Sequence, residues 1–381
     1  MSKTKKSSYV IGLMSGTSAD GIDGVILEIS EQNTFTIHGS VSHPYSNDVR
    51  KRIRKLVSQK ITNAEESAGL DGELAHLYAA VTKDLLEQAS NKNIDVIGCH
   101  GQTIHHSPDS DPPFSLQIGN GQILANETGY STVTDFRAAD IASGGQGAPL
   151  VPAFHEAAFS SKNENRAVVN IGGISNITFL PAGKPEQILG FDTGPGNTLI
   201  DYWCRTHFRC DYDKNGDIAR TGDLQLDLLD LLLRDPYFER PPPKSTGQEY
   251  FNANWLKDKM SLWEGRSHST HEDVLTTITM LTARCIIDQL KNLQPRVDSV
   301  YLAGGGANNG LLKDMIKDLS ASQVSTTDDL GIHPQWVEAA AFAWMAYRTI
   351  HDLPSTLPSV TGASNPTVAG KITVPDQQPA S

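Results

Sequence analysis

Three things are missing from this chain: long basic runs, metal-spaced cysteines and membrane-length apolar stretches. Each absence removes a class of function. No run of Lys and Arg exceeds a few residues and the formal net charge is −12, so a nucleic-acid or anionic-membrane surface is not expected. An anionic substrate would have to be met by cations gathered locally against that negative field. The 4 cysteines (Cys99, Cys204, Cys210 and Cys285) form no CxxC pair and show no zinc spacing. They read as the reduced thiols of a cytoplasmic protein. Lys3, Lys5 and Lys6 precede an apolar run that Gly12 interrupts, which is too short for a signal peptide's apolar core or a membrane span. What remains is a soluble globular chain. Its 381 residues correspond to about two domains, and 38% hydrophobic residues with 32 glycines allow sizeable cores.

The organising stretch is Tyr9 to Ile29. Apolar residues at 9–11, 13 and 14, and again at 22, 25–27 and 29, have the length and β-branching of strands. Between them lies Ser15-Gly16-Thr17-Ser18-Ala19-Asp20-Gly21, made only of small, hydroxyl or turn-forming residues. Such a loop can aim several N–H groups and hydroxyls at one anion, or it can be an ordinary polar hairpin turn. It is not the phosphate loop of P-loop NTPases, because no Gly-Lys-Ser/Thr follows and the next element is a strand.

Further along, strands are expected at 35–41, 94–99 and 129–135, with helices at 47–58 and 65–89. The strand at 94–99 runs into His100-Gly101-Gln102-Thr103, a strand end of the kind that faces ligand crevices in α/β folds; His100 is equally readable as a hydrogen-bonded turn residue. Gly144 to Pro149 reads as a flexible connection. After Asn165 the opening pattern returns. There is a strand at 167–171, the turn Gly172-Gly173, and a strand at 174–180. Leu189-Gly190-Phe191 then leads into Asp192-Thr193-Gly194-Pro195-Gly196-Asn197 and a helix. Helices are expected at 224–233, 273–290, 309–319 and 334–347, and strands at 299–303 and 323–326, with Gly304-Gly305-Gly306 at a strand end. The Pro, Ser and Thr content from Leu353 onward suggests mobile last residues. The repetition points to two related α/β halves rather than one doubly wound sheet.

Two hairpin loops in duplicated halves, with a late Gly-rich strand end, resemble the actin, hexokinase and Hsp70 ATPase superfamily. That resemblance implies two ribonuclease H-like domains with ATP in the cleft between them, one hairpin from each on its phosphates and Gly304 to Gly306 under the adenosine. More narrowly, the segments Gly12 to Asp23, Cys99 to Thr103, Thr134 to Arg137, Gly144 to Pro152, Gly190 to Asn197, Lys244 to Gly247 and Tyr301 to Asn308 look like those of the anhydro-N-acetylmuramic acid kinases. The likeness runs from about Tyr9 to about Ala363. Ala19 stands where many members carry a larger apolar residue.

The resemblance implies a cytoplasmic enzyme of bacterial cell-wall recycling, plausibly a homodimer, with no nucleic-acid or membrane partner. It would take 1,6-anhydro-N-acetylmuramic acid, ATP and water to N-acetylmuramic acid 6-phosphate and ADP. O6 of this sugar is tied to C1, so water must add at C1 while O6 takes the phosphoryl group. The expected domains are residues 1–150, joined by 351–381, carrying the first phosphate loop and the sugar side, and 151–350 carrying the second hairpin, the base and the adenosine site. Asp192 is expected as the general base, the alternative being a helix cap. Gly16, Thr17, Ser18, Ala19, Asp20, Gly21, Ile22 and Asp23, with Gly172, Gly173, Gly194, Gly196 and Asn197, are expected on the nucleotide. Asp20 and Asp23 are candidates to reach Mg²⁺ through water, or else to stabilise the turn. Arg137 is expected on the lactyl carboxylate, and its alternative is an ion pair with Asp135 or Asp140. His100, Asp140 and Glu338 are candidates for other sugar contacts. Lys244 is either a phosphate ligand on a mobile loop or a solvated lysine. Competing classes are an ordinary hydroxyl kinase on the same fold, and a filament-forming or chaperone ATPase. The second of these lacks motif support.

Overall fold

The computed structural model describes residues 7–58, 64–89 and 92–376. Lys3, Lys5 and Lys6, and the final residues 377–381 for which mobility is expected, lie outside the described residues. The chain forms two compact units, residues 1–158 with 336–381 and residues 159–335.

The first unit opens with β1 (Ser8–Ser15), β2 (Gly21–Ile29) and β3 (Phe35–Pro44), followed by α1 (Asn47–Ser58) and α2 (Ala64–Gln88). Next come β4 (Ile94–Ser107), β5 (Phe114–Ile118), α3 (Gly121–Thr128), β6 (Thr132–Thr134), α4 (Ala138–Ala142) and α5 (Val151–Phe159). The second unit contains β7 (Arg166–Ile171), β8 (Ile174–Leu180), β9 (Leu189–Pro195), α6 (Asn197–His207), α7 (Leu226–Leu233) and α8 (Ala253–Leu262). It continues with α9 (His271–Lys291), β10 (Ser299–Ala303), α10 (Gly310–Leu319) and β11 (Gln323–Thr326). The chain then returns to the first unit with α11 (Val337–Ile350), α12 (Pro358–Thr361) and β12 (Lys371–Thr373).

The duplication is visible in the pairing. The first sheet runs β12-β6-β4-β1-β2-β3, with β5 against β4, and the second runs β11-β10-β7-β8-β9. In each, three strands form an antiparallel meander and the first of them pairs in parallel with the next strand along. This order, meander then parallel strands, is the ribonuclease H-like arrangement, present twice as in actin-like ATPases.

β1 has Val10, Ile11 and Leu13 with no exposed surface. It is a central strand covered on both faces, so its sequence is continuously apolar rather than alternating. On one face α2 contributes Leu70, Leu74, Tyr78, Val81 and Leu85, which share a helical stripe. On the other face lies α11. Gly12 and Gly98 are partners across β1 and β4. A Cβ at Gly12 would run into the Ala339 carbonyl oxygen, and one at Gly98 into that of Phe342. The Ala-rich face of α11 therefore lies directly on backbone, which explains why this helix belongs to the first unit and not the second. Gly98→Val should lower the first thermal unfolding transition by roughly 5 °C or more, because overpacking at a rigid backbone contact has no flexible neighbour to yield. Calorimetry checks it; an unchanged transition would show that α11 can retreat.

Gly144 to Pro149 is not a loose junction. Gly145 N–H donates to Asp140 O (2.9 Å) and Gln146 N–H to Thr361 O (2.9 Å), so the segment is tied into the first unit. The chain leaves that unit only after Ala158 and returns after Gln335. Among the described residues, no helix is long and apolar enough to cross a membrane.

Candidate active site

The β1–β2 turn is held from beneath. Ser15 Oγ donates to Gln102 Oε1 (2.6 Å), Gln102 Nε2 donates to Gly16 O (3.1 Å), and Tyr45 O–H donates to Ser15 Oγ (2.9 Å). Ala19 N–H closes the turn onto Gly16 O (3.1 Å). The N–H groups of Thr17 and Ser18 make no loop hydrogen bond among the described residues, which leaves successive donors of the kind that bind an anion. Ala19 is 1% exposed with φ 54°; its small side chain suits a left-handed residue packed under the turn. Asp20 is exposed and pairs with Arg50 (3.1 Å). Gly21, Ile22 and Asp23 lie in β2, where Ile22 points into the core and Asp23 stands opposite Met14.

A second group gathers around Arg137. Its Nη1 donates to Gly147 O (2.7 Å) and its Nη2 lies 2.8 Å from His100 Nε2. His100 Nδ1 is 2.8 Å from Gly101 O. A carbonyl can only accept, so Nδ1 carries the proton and Nε2 accepts from the arginine. Burial, and then the Arg137 charge, push the His100 pKa down to about 3, which keeps the ring neutral as this geometry requires. Arg137 Nε is buried without a hydrogen-bond partner. Burial lowers the Arg137 pKa to about 10, while Glu338 and Asp140 act the other way. Glu338 thus sits in the field of Arg137, in the first turn of α11. Asp140 is fully buried, with Oδ2 accepting from Gly147 N–H (2.8 Å) and Oδ1 from Thr361 O–H (2.7 Å). Both its oxygens are engaged in holding the loop that Arg137 touches, which leaves a sugar contact no obvious opening. Arg137 itself is not in the surface ion pair that was its alternative.

Beside this group a cavity of about 270 Å³ opens, lined by Asp71, His100, Ser115, Gln117, Asn120 and Asp135 among others. His100 therefore touches both the cavity and Arg137. The cavity is of monosaccharide scale, and its wall is rich in hydrogen-bonding groups.

The second unit collects another set. The N–H groups of Gly196, Asn197 and Thr198 donate to Gly173 O, Gly172 O and Gly173 O at 2.9, 2.8 and 3.1 Å. The β7–β8 turn thus caps the start of α6 with its carbonyls. The N–H groups of Gly196 and Asn197 are consumed there, which leaves the turn itself as the part able to face an anion. Asn197 Nδ2 donates to Ile171 O (3.1 Å), and a Cβ at Gly306 would lie 3.0 Å from Asn197 Oδ1. Gly304 has φ 77° and donates its N–H to Pro334 O (3.0 Å), a backbone that glycine adopts readily. A Cβ at Gly305 would meet open space. Gly172, Gly173, Gly196, Asn197 and Gly304 to Gly306 are therefore one cluster at the ends of β7, β9 and β10. Gly194 is set apart, against Phe238 and Cys285.

Asp192 lies in β9 rather than capping α6. Its Oδ2 accepts from Thr246 N–H (3.0 Å), its own N–H donates to Lys244 O (3.0 Å), and its carbonyl accepts from Tyr237 O–H (2.8 Å). Burial raises its pKa to about 6; the Thr246 N–H works against this and the Glu249 charge adds to it. Lys244 is 8% exposed, so the expectation of a mobile or solvated loop lysine does not hold. Gln102, Tyr45, Tyr237 and Thr246 were not singled out from sequence. For Gln102 the signal was available: an amide directly after a strand and a glycine.

Both units thus present a Gly-rich β-hairpin turn, one with a buried guanidinium group nearby and the other with a held carboxylate. The model of the family described as anhydro-N-acetylmuramic acid kinase matches residues 8–375. A relative named anhydro-N-acetylmuramic acid kinase from Idiomarina loihiensis is 46% identical over 364 residues, covering 94% of this chain and 97% of its own. Another of that name from Coxiella burnetii (strain RSA 493 / Nine Mile phase I) is 43% identical over 365 residues, covering 95% and 96%. Among solved structures, the activator of the 2-hydroxyisocaproyl-CoA dehydratase from Clostridium difficile with bound ADPNP aligns at 14% identity and a TM-score of 0.45, covering 89% of this chain and 94% of its own. On the family match and the two relatives, the chain belongs to the anhydro-N-acetylmuramic acid kinase family.

Proposed function

We propose that this chain uses ATP and water to convert 1,6-anhydro-N-acetylmuramic acid into N-acetylmuramic acid 6-phosphate and ADP, with Asp192 as the general base. What supports the reading most is the setting of Asp192. One oxygen is fixed by a backbone donor, the other is left to take a proton, and a pKa near 6 suits a base at neutral pH. In the proposed step Oδ1 removes a proton from water as the water oxygen bonds to C1. The C1–O6 bond breaks and its electron pair stays on O6. O6 then bonds to the γ-phosphorus, and ADP leaves with the electrons of the broken P–O bond.

In this reading the first unit carries the sugar side, with Arg137 on the lactyl carboxylate, Glu338 and the cavity beside His100 taking polar groups, and Gly16 to Ser18 on phosphate. The second unit carries Asp192, the Gly172-Gly173 turn on phosphate and Gly304 to Gly306 under adenosine. Among the described residues no three carboxylates, imidazoles or thiols are grouped to hold a metal ion. Mg²⁺ would arrive with phosphate ligands and its own waters. Asp20 and Asp23 would reach those waters, and the ion would supply charge neutralisation of the phosphates. Cytoplasmic location and a homodimer complete the reading on the strength of the family resemblance.

The experiment is ADP release from purified protein with ATP and the anhydro sugar, run across pH. A base must be deprotonated to act, so kcat/KM should fall as pH drops through about 6 and level off above it. A profile flat to pH 4.5, or equal turnover with a sugar lacking the anhydro bridge, would contradict the assignment.

A further inference from the structure

Lys244 is the one cation of the Lys244-Ser245-Thr246-Gly247 segment, and a phosphate is the obvious partner for it. Its surroundings say otherwise. Its Nζ lies 3.3 Å from Tyr237 O and 3.4 Å from Phe238 O, and 4.8 Å from the Tyr237 ring centre. The ammonium is thus held by two carbonyls and an aromatic face, contacts that suit a desolvated cation. The ring it rests on is fixed in turn. Tyr237 N–H donates to Asp235 Oδ1 (3.0 Å), and Asp235 also accepts from Tyr250 O–H and Trp255 Nε1. Around this anchor the chain makes three hydrogen bonds to one residue: Tyr237 O–H to the Asp192 carbonyl, Asp192 N–H to Lys244 O, and Thr246 N–H to Asp192 Oδ2.

We propose that Lys244 is a positioning residue: its buried ammonium pins residues 237–246 into the turn that delivers the Thr246 N–H to Asp192. It leaves one carboxylate oxygen bonded and the other free. Lys244 acts through the loop and touches neither nucleotide nor sugar. The inference rests on Asp192 being the base. The groups that face the pair are few. Glu249 and the Tyr237 hydroxyl face Asp192, while Cys285 from α9 and Arg240 face Lys244. Glu249 disfavours the Asp192 anion and the Thr246 N–H favours it. Freeing the loop removes the Thr246 contact that favours the anion, so the base should become harder to deprotonate.

Lys244→Met keeps the length of the side chain and removes the charge. It should lower kcat, move the acid limb of kcat/KM up by roughly half a unit or more, and leave ATP affinity measured by calorimetry near wild type. If Lys244→Met does not fold, Tyr237→Phe removes the hydroxyl holding the same backbone and should move the limb in the same direction. An unmoved limb in the variant that folds, or a large loss of ATP affinity in Lys244→Met, would overturn the proposal and return Lys244 to the phosphates. A wild-type enzyme with no acid limb at all would remove the reading of Asp192 as base, and this inference with it.

Discussion

Asp192→Asn should turn over the anhydro sugar about 10²- to 10⁴-fold more slowly than wild type, the usual contribution of a general base, while binding ATP as before. The substitution is nearly isosteric. An asparagine whose Oδ1 occupies the present position of Oδ2 can still accept from Thr246 N–H, and the bonds from Tyr237 O–H and to Lys244 O involve residue 192 only through its backbone. The β9 geometry should therefore survive, and the defect should lie in kcat with little change in thermal stability. The acid limb near pH 6 should also vanish from the residual rate, since the amide does not titrate. A variant within a few-fold of wild type, or one that keeps the limb, would assign the base to another group.

Arg137→Ala should raise KM for the anhydro sugar by roughly 10- to 100-fold, the equivalent of one charged hydrogen-bonded contact at about 1.5–3 kcal/mol, with ATP affinity little changed. The guanidinium is already oriented before any ligand is present. Gly147 O and His100 Nε2 hold its two terminal nitrogens, and Nε is buried with no partner. An orphaned buried donor costs stability unless a ligand meets it, and a carboxylate is a good match for an arginine fork. Arg137→Lys should recover little, because an ammonium cannot keep the His100 contact and also present a planar fork. Steady-state kinetics with each substrate varied in turn checks the split. A rise in KM for ATP with an unchanged sugar KM would move Arg137 to the nucleotide.

The duplicated meander was legible because its signals are local. Each begins with a short apolar strand, a turn of small residues and a second strand, so both hairpins and the helix after Asp192 could be placed from the chain alone. Long-range choices were not. The helix at 337–350 reads simply as apolar, and nothing local says that its alanines lie on Gly12 and Gly98, which puts it in the first unit. β4 continues to Ser107 and pairs with β5, yet His105 and His106 hide that strand, because a solvated hairpin need not alternate cleanly. The short helix at 121–128 was missed although its ends are signalled: Asn120 accepts from the Gln122 and Ile123 N–H groups, and Gly129 closes it in the left-handed region.

At the candidate site the pattern was similar. Asp192, Arg137 and the Gly-rich turns could be named from motifs. The state of each could not, because it depends on partners distant in sequence. Asp140 has the residue type of a sugar ligand but is bonded to Thr361, 221 residues away. Lys244 has the residue type of a phosphate ligand but is buried on Tyr237. The nitrogen on which His100 carries its proton follows from a carbonyl one residue away and an arginine 37 residues away.

The most direct measurement of the central claim follows oxygen. In water labelled with ¹⁸O, mass spectrometry of the product should find the label on the anomeric carbon and none in the transferred phosphate, with no ring-opened, unphosphorylated sugar accumulating. That pattern requires water to attack C1 in the same event that frees O6 for the phosphoryl group. Label in the phosphate, or ring-opened sugar appearing before ADP, would contradict the coupled mechanism.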